Sequence, residues 1–151
     1  MDRPLEKRFL LALFAACALG CGSGGPGTPP APALIQVAGQ YQIAVALTEN
    51  DCGDVEVRPL PTTVAHTAGA ASFSLTHGGT TYAGHLAAEG RFTTDRLTLP
   101  GSGGSTQVDI AGQFSTGGLQ ALVTVNLEGP PQCRYVVRWT GTKLGAPNVI
   151  P

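Results

Sequence analysis

Few residues of this 151-residue chain are suited to catalysis. It has 4 cysteines and 3 histidines, the usual sources of thiol nucleophiles, general bases and zinc ligands. No G-x-S-x-G elbow, Walker loop or H-E-x-x-H motif occurs, and the glycine-rich stretch 101–105 lacks the flanking helix that a phosphate site needs. The sequence therefore predicts a protein that is not an enzyme and that has no catalytic residues and no cofactor.

The histidines are His66, His77 and His85. A hairpin turn at Gly78-Gly79 would bring His77 and His85 close enough to share a metal ion. Catalytic zinc needs a third protein ligand, and neither a cysteine nor a carboxylate lies between these two histidines. We predict no metal and interpret the histidines as surface polar residues, so a metal-dependent enzyme is the least favoured hypothesis.

Four acidic residues lie close together in the sequence: Glu49, Asp51, Asp54 and Glu56. Their spacing does not match the D-x-D-x-D-G loop that binds calcium. We interpret them as the charges of a solvated loop.

The start of the chain has the pattern of an export signal. Residues 1–8 carry three basic side chains, and residues 9–19 form an uncharged apolar run. As a helix this run would be about 17 Å long, too short for a hydrocarbon core of about 30 Å. The pattern predicts a signal peptide over residues 1–20 and not a transmembrane helix.

The end of this segment, Ala18-Leu19-Gly20-Cys21, resembles the lipobox of bacterial lipoproteins. The resemblance implies that Gly20 is the last residue removed and that Cys21 carries the lipid, with acyl chains such as palmitate. Cys17, which follows two alanines, is an alternative attachment site. A secretory signal that is cut beside an incidental cysteine is a further alternative.

Residues 22–32 (GSGGPGTPPAP) are small or proline and can bury almost no apolar surface. Together with Cys21 we interpret them as a tether over residues 21–32, the spacer that a folded domain needs to clear lipid headgroups. The resemblance implies stable anchoring by two or more acyl chains. Gly22, at the position where Asp tends to retain lipoproteins in the inner membrane, favours the outer membrane of a Gram-negative cell envelope.

Cys52 and Cys133 are the pair left in the mature domain. Neither belongs to a C-x-x-C motif or has a histidine nearby, so we do not interpret them as redox or catalytic residues. In an oxidising compartment two thiols predict one disulfide. It would close a loop of about 80 residues and contribute on the order of 4 kcal/mol in the chain-entropy model.

The composition excludes one class of partner and favours one fold class. Lys+Arg 9 and Asp+Glu 10 give a formal net charge of −1, which leaves no basic surface for nucleic acid. Gly 21 and Pro 12 are typical of strands joined by many turns. The chain is therefore expected to be all-β.

Apolar residues alternate with polar or small ones along most of the remaining chain. The alternating positions are Val37, Tyr41, Ile43, Val45 and Leu47; Phe73 and Leu75; Tyr82 and Leu86; Val108, Ile110 and Phe114; Leu119, Ala121, Val123, Val125 and Leu127; and Cys133, Tyr135, Val137 and Trp139. This period is that of half-buried strands. In a further strand at 91–99, Phe92 is out of phase with Leu97 and Leu99, which a bulge would accommodate.

Turn signals divide these runs at intervals of roughly 8 to 12 residues, which predicts a β-domain over residues 33–146 and a C-terminal tail at 147–151. We expect an antiparallel meander of about seven to nine strands, closed or partly closed into a small barrel, because closure removes exposed edges. A β-sandwich is the alternative. The inward aromatic residues are expected to fill the core, or alternatively to hold one small ligand.

The tether, the cysteine pair, the alternating strands and the motif from Trp139 to Lys143 (WTGTK) together resemble uncharacterised lipoproteins with lipocalin-like or meander β-domains. The first strand has Gly39-Gln40-Tyr41 where lipocalins have Gly-x-Trp. The resemblance implies a lipid-anchored, non-catalytic binding or structural domain, whose partner besides the membrane is a protein or a small apolar ligand.

The alternative function is an inhibitor of a periplasmic hydrolase. In that case loop 100–105 or loop 49–54 would enter the cleft of the enzyme.

Overall fold

The computed structural model describes residues 34–151. The predicted signal peptide (1–20), both candidate lipid attachment sites (Cys17 and Cys21) and the tether (21–32) lie outside the described residues. These assignments stay predictions.

The described chain consists mainly of β-strands. They are β1 (Gly39–Asn50), β2 (Thr62–His66), β3 (Ser72–His77), β4 (Thr80–Leu86), β5 (Arg91–Thr94), β6 (Leu97–Gly101), β7 (Gly104–Ser115), β8 (Gly118–Glu128) and β9 (Cys133–Leu144). A short 3₁₀ turn, Ala88–Gly90, precedes β5.

All strands belong to one antiparallel sheet with the order β5-β4-β3-β2-β1-β9-β8-β7-β6, and β5 also pairs with β7. The β1–β9 and β5–β7 pairings therefore close β1–β5 and β7–β9 into an eight-stranded barrel, while β6 is a ninth strand that pairs only with β7. The predicted all-β meander barrel is confirmed, and the chain does not form the alternative β-sandwich.

The alternation in the sequence decides which side chains face the interior. In β1, Tyr41 and Ile43 are each 2% exposed, whereas Gln40 and Gln42 face solvent. Successive side chains of a strand point to opposite faces, so this period of two places one set in the core.

β5 and β6 follow each other along the same edge of β7 and are separated by residues 95–96. Thr93 lies opposite Ala111, and Leu97 lies opposite Val108, so that four steps along one chain face three along the other. The extra residue allows Phe92 and Leu97 both to contact the core. The strand predicted at 91–99 is therefore two strands, and the extra residue that the phase of Phe92 indicated lies between them.

Pro100 lies on the outer edge of β6. The tight turn at 102–103 makes Gly101 and Gly104 a directly opposed pair, so the backbone groups of Gly101 and Leu99 face β7 and those of Pro100 face away. Because proline has no N–H, this edge offers a poor template for another strand.

Aromatic rings form the centre of the core near one end of the barrel. The Phe114 ring lies 5.9 Å from Tyr41, 5.7 Å from Phe73 and 4.6 Å from Phe92, measured between ring centroids. The chain passes close to Phe73 at Gly84, where any Cβ would collide with the phenyl ring. The expectation that the inward aromatics fill the core is confirmed, since they all belong to or pack against one apolar cluster.

The barrel has two different ends. The plugged end carries the turns 67–71, 87–90 and 116–117 and both ends of the described chain, 34–38 and 145–151; the open end carries the loops 51–61, 78–79, 102–103 and 129–132.

Asn148 closes the plugged end. It is 3% exposed and accepts hydrogen bonds at Oδ1 from the Tyr41 hydroxyl (2.8 Å) and from Lys143 Nζ (2.7 Å). Its amide nitrogen donates to the carbonyl oxygens of Ser115 (2.7 Å) and Gly118 (3.1 Å). Burial raises the pKa of Tyr41 to about 12, so the hydroxyl keeps its proton at physiological pH.

The segment predicted as a C-terminal tail, 147–151, packs against the barrel through these contacts. Val149 and Gln36 also exchange two backbone hydrogen bonds of 3.0 Å. The segment therefore holds both ends of the described chain at the plugged end.

Asn148→Ala should lower the free energy of unfolding by about 2–4 kcal/mol, because the Ser115 and Gly118 carbonyl oxygens lose their side-chain donor and the Tyr41 hydroxyl and Lys143 Nζ each lose one of two acceptors. Urea denaturation of the oxidised protein measures this loss. The control is Asn126→Ala: Asn126 is half-buried, has no side-chain hydrogen bond within residues 34–151, and should cost less than about 1 kcal/mol. Equal losses in the two variants would contradict the role assigned to Asn148.

Candidate functional site at the open end of the barrel

The strands have unequal lengths, and this difference creates the open end. Strands β1, β7, β8 and β9 have 11 or 12 residues, whereas β2 to β5 have between 4 and 7. β1 pairs with β9 from Gln40 to Asn50 but with β2 only from Gly39 to Tyr41. The long strands, together with β6, therefore extend beyond the closed part of the barrel.

Three loops meet at this end. Loops 102–103 and 129–132 approach closely, because a Cβ on Gly129 would collide with the carbonyl oxygen of Gly103. Loop 51–61 is joined to the start of β9 by the disulfide between Cys52 and Cys133, whose Cα atoms are 5.0 Å apart. The predicted disulfide is confirmed, and both loops named for a possible inhibitor, 49–54 and 100–105, lie at this end.

Backbone hydrogen bonds support the same connection. The Asp51 N–H donates to the carbonyl oxygen of Arg134 (3.0 Å), and the Arg134 N–H donates to the Asp51 carboxylate. These two bonds extend the contact between β1 and β9 one residue beyond the last strand pair, Asn50 and Tyr135, next to the disulfide.

The inner face of the extended strands carries an apolar shelf, which we define as Leu97, Leu99, Leu127 and Tyr135. Two rows of paired residues cross the sheet there: Leu99, Thr106, Leu127 and Cys133 in one, and Leu97, Val108, Val125 and Tyr135 in the other. Directly paired residues share a face. Leu99 is 39% and Leu127 36% exposed, so this inner face is only partly covered.

The rim of the open end is acidic. Glu49 forms an ion pair with Arg134 at 2.6 Å, and Glu56 lies 3.6 Å from Arg58. Asp54 has no ion pair within the described chain. The acidic cluster predicted as solvated loop charge is exposed, as expected for that interpretation.

The sulfur atoms near Asp51 are not available to a metal. Asp51, Cys52 and Cys133 place one ligand atom each within 4.8 Å of one another, the one such group among residues 34–151. Both sulfur atoms are committed to the disulfide.

His77 packs inside the barrel, on the Trp139 ring. The ring centroids are 4.2 Å apart, and His77 Nδ1 lies 2.7 Å from the Thr62 hydroxyl oxygen. Because the Thr62 hydroxyl donates its proton to the Leu60 carbonyl oxygen (3.2 Å), His77 must donate from Nδ1. Burial lowers the pKa of His77, which favours this neutral form.

The histidines do not form a metal site. His77 faces the interior, whereas His85 faces solvent on the other side of β4 and bonds Asp95 at 3.0 Å. The hairpin thus separates the two rings that a zinc site would have to share. The interpretation of all histidines as surface residues is wrong for His77 and for His66, which is half-buried and lies 3.0 Å from the Ala70 carbonyl oxygen.

A serine lies opposite the His85–Asp95 pair, which sequence reasoning did not detect. Ser72 is the cross-strand partner of His85. The ion pair is more than 60% exposed on both side chains, and Ser72 forms no hydrogen bond with His85 in the described chain. The contacts that activate a serine nucleophile are therefore not formed here.

Comparisons with known proteins give no match to a family model, a curated protein or a solved structure. Within the part of the chain that the structure describes, no helix is both long and apolar enough to cross a bilayer.

His77→Phe should reduce the loss of stability on acidification. A lowered pKa in the folded state means that the unfolded chain binds the proton more tightly, so stability is complete above the unfolded pKa of about 6.5 and falls as the pH drops below it. Melting temperatures between pH 7.5 and 5.5 should fall less in this variant than in the wild type. Gln120→Ala changes an exposed residue that does not titrate and should keep the wild-type pH dependence, and the same dependence in all three proteins would contradict the assignment.

Proposed function

We propose that the chain is a lipid-anchored protein of the cell envelope, attached through Cys21, and that its barrel is a non-catalytic binding domain. The observation that carries the proposal is the arrangement of the two ends. The described chain begins at Leu34 on the plugged end, where Val37 is fully buried and Gln36 pairs with Val149. The open end, with its loops and apolar shelf, lies at the other end of the strands.

This placement of the chain entry and the open end at opposite ends of the barrel suits an anchored binding domain. A tether of about 12 residues spans at most about 40 Å, which separates a domain from the headgroups but keeps it near the membrane. A chain that enters at the plugged end leaves the open end free to meet a partner. The exposed leucines at that end favour a protein or a small apolar ligand over a highly charged one.

The anchor is tested with Cys21→Ser. This variant should stay unprocessed or unacylated, and its share in the detergent phase of a phase-separation assay should fall at least about tenfold, because the acyl chains supply the membrane affinity. Intact mass should show the loss of the lipid. Cys17→Ser should partition as the wild type does. Unchanged partitioning of Cys21→Ser, or its loss in Cys17→Ser, would contradict attachment at Cys21.

A second candidate is inhibition of a hydrolase. It is favoured by one observation: the loops 49–54 and 100–105 lie at the same end of the barrel, where the disulfide fixes the first to the start of β9 and the second lies against Gly129. Loops held rigidly at the end of a barrel lose little entropy when they enter a cleft.

Affinity capture from a native envelope extract tests the inhibitor role. The barrel should retain one hydrolase in a 1:1 complex, and the double variant Leu99→Ser/Leu127→Ser should bind it at least about tenfold less tightly. The matched control is Leu122→Ser, since Leu122 is 48% exposed on the outer wall. Bound lipid detected by mass spectrometry, with no hydrolase captured, would contradict inhibition and support a ligand carrier.

A further inference from the structure

One edge of β1 has no strand partner over most of its length. On one side β9 pairs with β1 from Gln40 to Asn50, whereas on the other side β2 pairs with it only as far as Tyr41. The chain from Cys52 to Pro61, which we call the strap, connects the two ends of this edge, because Cys52 closely follows Asn50 and Pro61 precedes Thr62, the partner of Tyr41.

The hydrogen bonds around β1 show which backbone groups face the strap. The Lys143 N–H donates to the Gly117 carbonyl oxygen on the β8 side, so the backbone groups of Thr142 face β1. Its partner Gln42 therefore bonds with β9. The backbone N–H and C=O groups of successive residues in a strand point to opposite edges of that strand. Those of Ile43, Val45 and Leu47 therefore point away from β9, towards the side of the strap.

A second contact gives the same result. The Gly78 N–H donates to the Pro61 carbonyl oxygen at 3.1 Å, which places the backbone groups of Pro61 towards β3 and those of Thr62 towards β1. Thr62 is opposite Tyr41, so odd-numbered residues of β1 face β2 and the strap.

These groups have no hydrogen-bond partner among residues 34–151. The structure gives no strand pairing, backbone bond or side-chain bond on this side for Ile43, Val45 or Leu47. Ile43 is also 2% exposed, and buried backbone groups normally have partners.

The strap cannot supply these hydrogen-bond partners. Its apolar and charged residues alternate in an order that would place charged side chains in the core if the strap paired with β1. If the β2 ladder continued along β1, Arg58 would lie opposite Val45 and Glu56 opposite Leu47, with both charges directed into the core. Instead Val57 contacts the core, and Glu56 and Arg58 are exposed. The strap therefore does not continue the β2 ladder along β1 and forms no backbone hydrogen bond with this edge.

We propose that this edge of β1 binds an extended segment of a partner protein, which adds a strand between β1 and the strap. Strand addition satisfies unpaired edge groups by main-chain hydrogen bonds, and alternate side chains give specificity. The register requires apolar residues opposite Ile43, Val45 and Leu47. This site lies on the side of the barrel and does not depend on the lipid anchor.

The charge around the edge favours a basic segment. The charged residues of the rim next to it are Glu49, Asp51, Asp54 and Glu56, together with Arg58 and Arg134, so four carboxylates face two guanidinium groups. A groove of about 360 Å³ opens on the outer wall where β2 begins, with the exposed side chains of Leu60 and Leu144 at its sides. Lysine or arginine at the outward positions of the segment would complement this rim.

The strap is long enough to allow insertion. The part of β1 beside it spans about 30 Å. The ten steps from Cys52 to Thr62 reach about 35 Å when extended, so the middle of the strap can move outward by about 9 Å. A new strand needs about 4.8 Å.

Amide hydrogen exchange of the free protein, read by NMR, tests the unpaired edge. The amides of Val45 and Leu47 should exchange at least about 100-fold faster than those of Ala44 and Ala46, which bond to β9. Equal protection along β1 would overturn the proposal, because the edge would then be paired in solution. Dimerisation through this edge, seen in light scattering, would also overturn it.

The probe for binding is the heptapeptide Thr-Val-Lys-Val-Thr-Leu-Lys. Its two valines and its leucine can lie opposite Ile43, Val45 and Leu47, so that all of them face the core. The peptide should protect the amides of Val45 and Leu47. N-methylation of its two valines and its leucine, whose N–H groups would face β1, should weaken binding at least about tenfold, whereas N-methylation of the threonines should change it much less. Equal effects of both modifications, or no protection by the unmodified peptide, would overturn the proposal.

A variant of the protein itself tests the phase argument. Glu56→Val with Arg58→Val gives the strap the phase of the β2 ladder, so it should pair with β1. The amides of Val45 and Leu47 should become protected, and the peptide should no longer bind. Unchanged peptide binding in this variant would show that the peptide does not bind at the β1 edge.

Discussion

The pairing of the first strand with the last is the interaction on which the rest of the structure depends. β1 and β9 are far apart in the sequence, yet they form a ladder from Gln40 to Asn50. A chain with so many non-local contacts must lose loop entropy before it gains packing. The disulfide between Cys52 and Cys133 joins the same two regions. It therefore reduces the conformational entropy of the unfolded chain for the contact that closes the barrel.

Much of the fold could be predicted from the sequence because its alternation is regular. Tyr41 and Ile43 point inward as their period requires, and the out-of-phase Phe92 indicated the extra residue between β5 and β6. The cysteine pair was found by elimination. In each case the signal is local, or it involves a residue type with few possible roles.

The candidate site could not be predicted to the same degree, because it depends on differences in strand length and on long-range contacts. No local pattern indicates that Asn148 plugs the barrel, since its partners Tyr41 and Ser115 are distant in the sequence. His77 was interpreted as a surface residue, because its stacking partner, Trp139, lies on a strand that is distant in the sequence. The order of apolar and charged residues in the strap can be read from the sequence. That this order prevents pairing with β1 can be inferred only once the register of β2 against β1 is known.

The proline on the outer side of β6 has a consequence for how many copies of this barrel can coexist. Edge-to-edge pairing of sheets requires a row of free amide donors, and Pro100 interrupts that row near the tip of the β6–β7 hairpin. At high concentration, sheets that meet edge to edge would otherwise pair, and even weak pairing of this kind leads to aggregates. A single imino acid therefore helps to keep a crowded population of barrels individually dispersed.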